Sequence, residues 1–170
     1  VGNVSHGDHA LMLGASLARI DDYKAPTGRV AYSSYDSDSF IGQYRYRIDN
    51  RQQLRVSLQK HEDKDVWYPG SRKLFSHPMP AVQAAVGETV THSPEQERTL
   101  AEAGYSWKGG GDAPLNVDLR VYRQKMERTI YAWSNNLLRD ITTTQVDFAT
   151  NGFDAKADWL AHEQHLLSFG

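Results

Sequence analysis

The histidines are the residues in this sequence whose chemistry first suggests a site. Seven are present and cysteine is absent, which excludes disulfides, thiolate metal ligands and thiol catalysis. No two histidines have the His-Glu-x-x-His spacing of a zinc enzyme, and we predict no metal site. His77 and His92 share a Pro-rich stretch with Trp67, Tyr68 and Phe75. A histidine or tyrosine can ligate haem iron, and aromatic rings can stack on a porphyrin or catecholate. These five residues are therefore candidate ligand-binding residues; the alternative is that they are simply solvated.

Catalytic signatures are missing from the other residues. The sequence has no nucleophile elbow and no phosphate-binding glycine loop, and no motif pairs its carboxylates. The three glycines at 109–111 are followed by Asp112-Ala113-Pro114, which predicts a turn. The net charge of -2 and the pI of about 6.4 do not indicate the basic surface that binds nucleic acid. We expect no enzymatic activity, no cofactor and no nucleic-acid partner.

Alternation of apolar and polar residues is the dominant pattern along the chain. Near the end, Phe153, Ala155, Ala157 and Trp159 alternate with acidic and basic residues, and a helix would mix these two faces. The same period of two recurs over about 11–17, 40–48, 54–58, 101–107 and 117–121, and a last strand is expected over 165–169. The sequence predicts an all-β chain of six or seven antiparallel strands joined as up-and-down hairpins.

The connections between these strands are expected to alternate in length. Short ones lie at 49–52, 108–116 and 161–164, and longer ones at about 21–29 and 63–96, with a shorter link at 134–140. Transmembrane β-barrels of the bacterial outer membrane have short periplasmic turns and long external loops. Several strands also reach the roughly 9 to 11 residues that a tilted strand needs to cross a bilayer. This alternation favours hairpins that form part of a transmembrane β-barrel.

The two faces of the predicted strands differ in chemistry. The polar face carries charges of both signs, including Arg45, Arg47, Arg55 and Arg120. We expect these arginines to line a lumen, where they either pair with carboxylates or guide an anionic ligand. The apolar face would contact outer-membrane lipid.

Aromatic residues of the apolar face concentrate near the short turns: Tyr44, Tyr46, Tyr105, Trp107 and Trp159. This placement is typical of the aromatic girdle at a membrane interface, although aromatic residues also pair across strands in any sheet.

The expected strands are too few to close a barrel within this chain, since bacterial single-chain barrels have at least about 8 strands. The sequence starts without a signal peptide and ends within a predicted strand. We therefore expect residues 1–170 to be one partial β-barrel domain from a larger protein of the bacterial outer membrane.

Four stretches carry a resemblance to a known family. They are 10–22, 40–49 (FIGQYRYRID), 53–59 (QLRVSLQ) with 65–70 (DVWYPG), and 142–170, which ends in His-Leu-Leu-Ser-Phe-Gly. Together they resemble the barrel of TonB-dependent receptors. The resemblance implies a plugged barrel of about 22 strands that imports a ferric siderophore, haem or cobalamin. It also implies that TonB acts through a plug region, which this stretch does not include.

A second interpretation remains open at this point. The chain could be a soluble antiparallel β-barrel that binds a small apolar ligand. Such a module has to turn its apolar face inward around a core, whereas a receptor wall turns that face toward lipid.

Overall fold

The computed structural model describes residues 1–111, 114–162 and 165–170. It is an all-β structure with one short helix, and every strand pair is antiparallel. The strands are β1 Gly2–His6, β2 His9–Ile20, β3 Lys24–Ala25, β4 Gly28–Arg29, β5 Tyr35–Arg47, β6 Gln52–Leu74, β7 Glu88–Lys108, β8 Leu115–Ser134, β9 Arg139–His162 and β10 His165–Phe169, and α1 is Pro80–Val86. The predicted all-β, antiparallel class is confirmed.

The main sheet is a meander of eight strands in the order β1-β2-β5-β6-β7-β8-β9-β10. β3 and β4 form a separate two-stranded ribbon in the loop between β2 and β5. The sequence predicted up to seven strands and missed β1, because Gly2–His6 has no apolar–polar alternation. In the described residues β1 and β10 each pair on one side only, so the sheet is open.

The long loop predicted over 63–96 is wrong, because most of this stretch is strand. β6 extends to Leu74 and β7 begins at Glu88, which leaves a connection of 75–87 that contains α1. The prolines misled the prediction, since proline lacks the N–H that a sheet ladder requires. Pro69 and Pro94 both lie where the register between β6, β7 and β8 shifts, and bulges tolerate proline.

The alternation of connection lengths holds for most of the sheet. At one end β1–β2 and β5–β6 are joined by short turns, and the tight turn predicted at 49–52 spans 48–51. The β7–β8 connection is also short. At the other end the β2–β5 and β6–β7 connections are long, but β8 and β9 are joined by only four residues, 135–138. The expected alternation therefore fails at this hairpin. Residues 112, 113, 163 and 164, parts of two predicted turns, lie outside the described residues.

One row of directly opposed residues defines the back face of the sheet. The row consists of Ala10, Arg45, Arg55, Gly104, Arg120 and Asp154. The opposite, front face carries the apolar band. Its members are Leu11, Leu13, Ala15 and Leu17 in β2; Phe40, Tyr44 and Tyr46 in β5; Leu54, Val56 and Leu58 in β6; Ala101, Ala103, Tyr105 and Trp107 in β7; Val117, Leu119 and Val121 in β8; and Phe153, Ala155, Ala157 and Trp159 in β9.

The apolar band is exposed in the described residues, and so are charged side chains of the back face such as Arg120 and Asp154. Along β6, Val56 is 53% and Leu58 45% exposed, whereas Ser57 between them on the back face is only 6% exposed. In the described residues, the buried hydrophobic side chains are Val86 and Val90, near α1 rather than under the band. No helix in the described part of the chain is long and apolar enough to cross a membrane.

The apolar band crosses the strands obliquely. The band residue farthest from the short turns is Leu17 in β2, seven positions from the back-face row. In β9 it is Phe153, only one position from that row. The border thus moves six residues over five strand spacings. With a rise of about 3.3 Å per residue and a spacing of about 4.8 Å between strands, the border of the band is inclined by about 40° to the line perpendicular to the strands.

The short turns follow the same slope. The closing pair of β1–β2 is His6–His9, and that of β9–β10 is His162–His165. The turn lies one residue from the back-face row at His9 and eight residues from it at His162. The distance from the row therefore grows by seven residues over the six strand spacings between the two hairpins. Tyr46, Trp107 and Trp159 lie on a parallel line, receding by one residue per strand. The band, the aromatic line and the turns therefore share one direction.

Candidate functional site

The four arginines predicted to line a lumen all lie on the back face. Arg45, Arg55 and Arg120 belong to the back-face row, and Arg47 lies two residues nearer the turn on the same strand as Arg45. The period of two was sufficient to group them on one face. Their alignment in a row follows from the strand register, which the turn lengths and bulges determine.

Glu102 links two of these arginines. Its carboxylate accepts a bond from Arg55 Nη2 at 2.7 Å and lies 3.5 Å from Arg120 Nη1. Arg120 also pairs with Asp154 across β8 and β9. Gly104 lies between Arg55 and Arg120 in the row, and the Arg55 guanidinium packs over it. This part of the back face is a charge-compensated network.

The neighbouring part, across β5 and β6, is less well compensated. Arg45 and Arg55 are directly opposite each other, an arrangement of like charges that destabilises a sheet. Arg47 pairs with Asp8 at 3.1 Å, whereas no ion pair involves Arg45 among the described residues. The Nε atom of Arg55 is buried without a hydrogen-bond partner. The Arg45 guanidinium, opposite Arg55, can therefore donate hydrogen bonds to an additional carboxylate or another anion.

The candidate ligand residues do not form one site. Trp67 in β6 and His92 in β7 are directly opposite each other, and their rings stack with centroids 4.0 Å apart. Trp133 contacts Trp67 edge-on, with ring centroids 5.8 Å apart, and Tyr32 from the β2–β5 loop packs against Trp67 with ring centroids 4.8 Å apart. Tyr131 is 6.3 Å from the ring of His92.

This aromatic cluster lies on the front face, beyond the apolar band. At the register shifts between β8 and its two neighbours, the extra residue belongs to β7 or β9 and not to β8. The side chains of β8 therefore alternate without interruption, and Tyr131 and Trp133 lie on the same face as Val121. Both ring nitrogens of His92 are buried and unpartnered by hydrogen bonds; the nearest carboxylate oxygen, of Asp65, is 3.7 Å away. The packing of the His92 ring makes it a component of the cluster rather than an open ligand position.

Tyr68 points to the opposite side of the sheet from Trp67. Its hydroxyl oxygen accepts bonds from Arg128 Nη2 at 2.7 Å and from Gln96 Nε2 at 2.9 Å. The Arg128 guanidinium also lies 5.2 Å from the centre of the Tyr68 ring. Since Gln96 and Arg128 are on the back face, Tyr68 is the strand residue of the candidate set that faces the same side as the arginines.

Phe75 and His77 lie in the β6–β7 connection, where their rings stack at 6.1 Å. They border an open groove of about 800 Å³ that α1 and the start of β9 complete with Val82, Val86 and Ile141. Arg139 and Asp140 add charge to its lining. The groove combines an apolar floor with polar groups, which is the composition of many small-molecule sites.

Tyr32, Tyr131 and Trp133 were missed as partners of Trp67 and His92. Tyr131 and Trp133 continue the alternation of β8, so their face could have been read from the sequence. Tyr32 reaches the cluster from a loop in which it adopts a positive φ of 65°, and its hydroxyl donates to Asn135 at 3.1 Å. No local pattern predicts that contact.

Three carboxylates on the front face approach one another closely. Single oxygens of Glu62, Glu95 and Glu97 lie within 4.8 Å of one another. Lys64 pairs with Glu62 at 3.1 Å and Lys60 with Glu97 at 2.8 Å, so two of the three charges are compensated by lysines. The cluster is explained by these ion pairs.

Two aspartates in connections between strands, Asp22 and Asp49, have lowered pKa values. Backbone N–H groups of Ser33 and Ser34 donate to Asp22, and together with Arg29 they hold the pKa of this carboxyl below its usual range. The Arg51 backbone N–H does the same for Asp49 in the β5–β6 turn, assisted by the Gln52 side chain. Both carboxylates stabilise connections rather than a reaction centre.

Comparison of this chain with known protein families, with curated proteins and with solved structures finds no match in any of the three.

Proposed function

We propose that this chain forms part of the wall of a bacterial outer-membrane β-barrel that transports a small ligand. One observation carries the proposal: the apolar band of the amphipathic sheet is exposed, and the described residues place no core over it. A water-soluble sheet of this composition would bury Leu54, Val56 and Leu58 and leave the polar side open. Lipid is the solvent that suits the exposed side.

The shared direction of the band, the aromatic line and the turns supports the same proposal. Strands of outer-membrane barrels are tilted by about 35–45° from the barrel axis. The membrane border is perpendicular to the barrel axis, so it is inclined to the perpendicular of each strand by the same angle as the strand tilt. The inclination of about 40° given by the register lies within this range. The aromatic line between the band and the turns corresponds to an interfacial girdle.

The ligand class in the proposal rests on the resemblance to TonB-dependent receptors. We propose a ferric siderophore or haem as the transported ligand, with TonB acting through a separate plug region. The open Arg45–Arg55 position and the Phe75–His77 groove are the places on this chain that suit an anionic or aromatic ligand. The proposal assigns no catalytic residue.

The absence of native cysteine allows a direct test of the wall proposal. Single cysteines at Gln53 on the exposed back face and at Val56 and Leu58 on the front face, with the chain reconstituted in lipid vesicles, should react differently. We expect the Val56→Cys and Leu58→Cys variants to react with a lipid-soluble maleimide and the Gln53→Cys variant with a water-soluble one.

The soluble alternative gives a different outcome. A monomer that stays in the aqueous phase without detergent, with Val56→Cys and Leu58→Cys protected from both reagents, would contradict the wall proposal. Protection would show that these side chains lie in a protein core.

The ligand proposal has its own test. Haemin titration of the vesicle-inserted chain, followed by the absorbance of the haem, should show binding that His77→Ala weakens. His92→Ala is the matched control, because His92 lies in the packed front-face cluster. An equal loss in both variants would contradict the groove as a haem site, and binding of a ferric siderophore alone would select that ligand.

A further inference from the structure

The front face changes abruptly from apolar to charged just beyond the band. The next front-face residue is Arg19 in β2, Lys60 in β6 and Arg123 in β8. Carboxylates lie farther from the band on β6, β7 and β8, at Glu62, Glu97 and Glu127. On β6 and β8 a cation therefore lies between the apolar band and the acids, whereas this position is Thr99 on β7 and Asp38 on β5.

Three of the cations surround one small hydroxyl residue. Thr99 of β7 is directly opposite Lys60 of β6 on one side and Lys125 of β8 on the other. Strand spacing places the two lysine backbones about 10 Å apart, and Arg123 is one front-face position nearer the band. We name Lys60, Thr99, Arg123 and Lys125 the cationic step.

The ion pairs leave part of this step open. Lys60 bonds to Glu97 at 2.8 Å and Lys125 to Glu127 at 2.7 Å, and both acids lie on the side away from the band. Their ammonium groups keep donor capacity, since an ammonium has three N–H donors. Arg123 is exposed and makes no ion pair within the described residues.

We infer that the cationic step binds the phosphate group of a membrane lipid whose acyl chains cover the adjacent apolar band. The inference rests on the proposed membrane location. It is carried by continuity: Leu58, Ala101 and Val121 end the band immediately below Lys60, Thr99 and Arg123. A lipid presents these two chemistries in the same order, acyl chains first and phosphate at their end.

A phosphorylated glycolipid suits this surface better than a single-phosphate lipid. The cations extend across β6 and β8, so two phosphates on one headgroup can be contacted at once. The acid row beyond them can accept hydrogen bonds from sugar hydroxyls. The occupant we assign is therefore a bisphosphorylated, multi-acylated glycolipid of the lipid A type.

The test compares lipid A with its dephosphorylated form. The chain is reconstituted in phosphatidylcholine vesicles that contain one or the other, and the glycolipid that co-purifies with the protein is measured by mass spectrometry. We expect preferential retention of bisphosphorylated lipid A. Replacement of Lys60 and Lys125 together by alanine, Lys60→Ala with Lys125→Ala, should weaken the retention of lipid A by about fivefold for each cation lost. Added salt should weaken this retention further.

Two variants serve as controls. Arg98→Ala removes a cation from the back face of β7 at a similar height, and we expect no effect on retention. The double replacement Lys60→Arg with Lys125→Arg keeps both charges and should keep retention. Equal retention of the two glycolipids, or loss in the Arg98→Ala variant alone, would overturn the inference.

The cysteine-labelling pattern separates this outcome from failure of the proposed function. A chain that shows lipid labelling at Val56→Cys but no preference for phosphorylated glycolipid would contradict the cationic step alone. A chain that shows no lipid labelling would contradict both proposals.

Discussion

The two halves of the long strands differ on one face only. Near the short turns the front face is apolar, whereas beyond Leu58 and Val121 it carries ion pairs such as Lys60–Glu97 and Lys125–Glu127. Backbone pairing continues through both halves, interrupted by bulges only farther along. The backbone pairing is therefore continuous across the border, and the two halves differ in their front-face side chains.

A charge placed in the apolar band should have the largest effect on stability. We expect Val56→Lys to destabilise the vesicle-inserted chain by about 2–4 kcal/mol, the cost of a lysine at mid-bilayer in a barrel wall. The matched variant Glu62→Lys lies on the same face of β6 beyond the band, and its effect should be within about 1 kcal/mol.

Urea unfolding of the two variants in vesicles measures this difference. Equal destabilisation by Val56→Lys and Glu62→Lys would mean that the two halves of the front face share one environment. The proposed border at Leu58 would then be wrong.

Ion pairs on the two faces provide a second comparison. Glu102 is 13% exposed and contacts both Arg55 and Arg120, whereas Glu127 is 46% exposed and pairs with Lys125. Glu102→Gln should cost about 1–3 kcal/mol, because it leaves two guanidinium groups without their shared carboxylate. Glu127→Gln should cost less than about 1 kcal/mol.

The same unfolding measurement applies, with Glu102→Asp as the variant that keeps the charge. If Glu127→Gln proved the more damaging substitution, the back-face network would not be the better-stabilised of the two.

The smallest expected effect concerns the loop that supplies Tyr32 to the far half. The lowered pKa of Asp22 means that its stabilising contribution is fully present above the usual range, near 4, and is lost as the pH falls through the lower folded value. Acidification from pH 5 toward about 2 should therefore release the Ser33 and Ser34 amides.

Hydrogen exchange of these two amides reports the release. Asp22→Asn should give faster exchange already at neutral pH, and Asp21→Asn, whose side chain is not part of this turn, serves as the control. Exchange at Ser33 that is unchanged in the Asp22→Asn variant would contradict the role of this carboxylate.

The elements with clean alternation were predictable from the sequence. The stretch from Phe153 to Trp159 is strand as expected, and Arg45, Arg55 and Arg120 share a face because the side-chain period is two. Strand β1 was not predictable, since its residues lack that period.

Register and bulges limited the prediction of the candidate site. Trp67 and His92 were both selected, but their ring stacking follows from a β6–β7 register that runs unbroken from Gln52–Trp107 to Tyr68–Thr91, through a stretch predicted as a loop. The bulge near Pro94, between β7 and β8, has no unambiguous sequence signal. Tyr68 lies on the opposite side from Trp67 because successive strand residues alternate. A stretch rich in prolines and charges therefore suggested a loop where cross-strand ion pairs in fact stabilise a strand.

The four tryptophans allow the most direct test of the central claim that the front-face band is embedded in lipid. Trp107 and Trp159 lie at the turn-side edge of the band, and Trp67 and Trp133 lie in the cluster beyond its opposite edge. Two variants, Trp67→Phe with Trp133→Phe and Trp107→Phe with Trp159→Phe, isolate the two pairs. In vesicles of brominated phosphatidylcholine, the account predicts strong quenching of the Trp107–Trp159 fluorescence and little quenching of the Trp67–Trp133 fluorescence. Equal quenching of both pairs, or none of either, would contradict it.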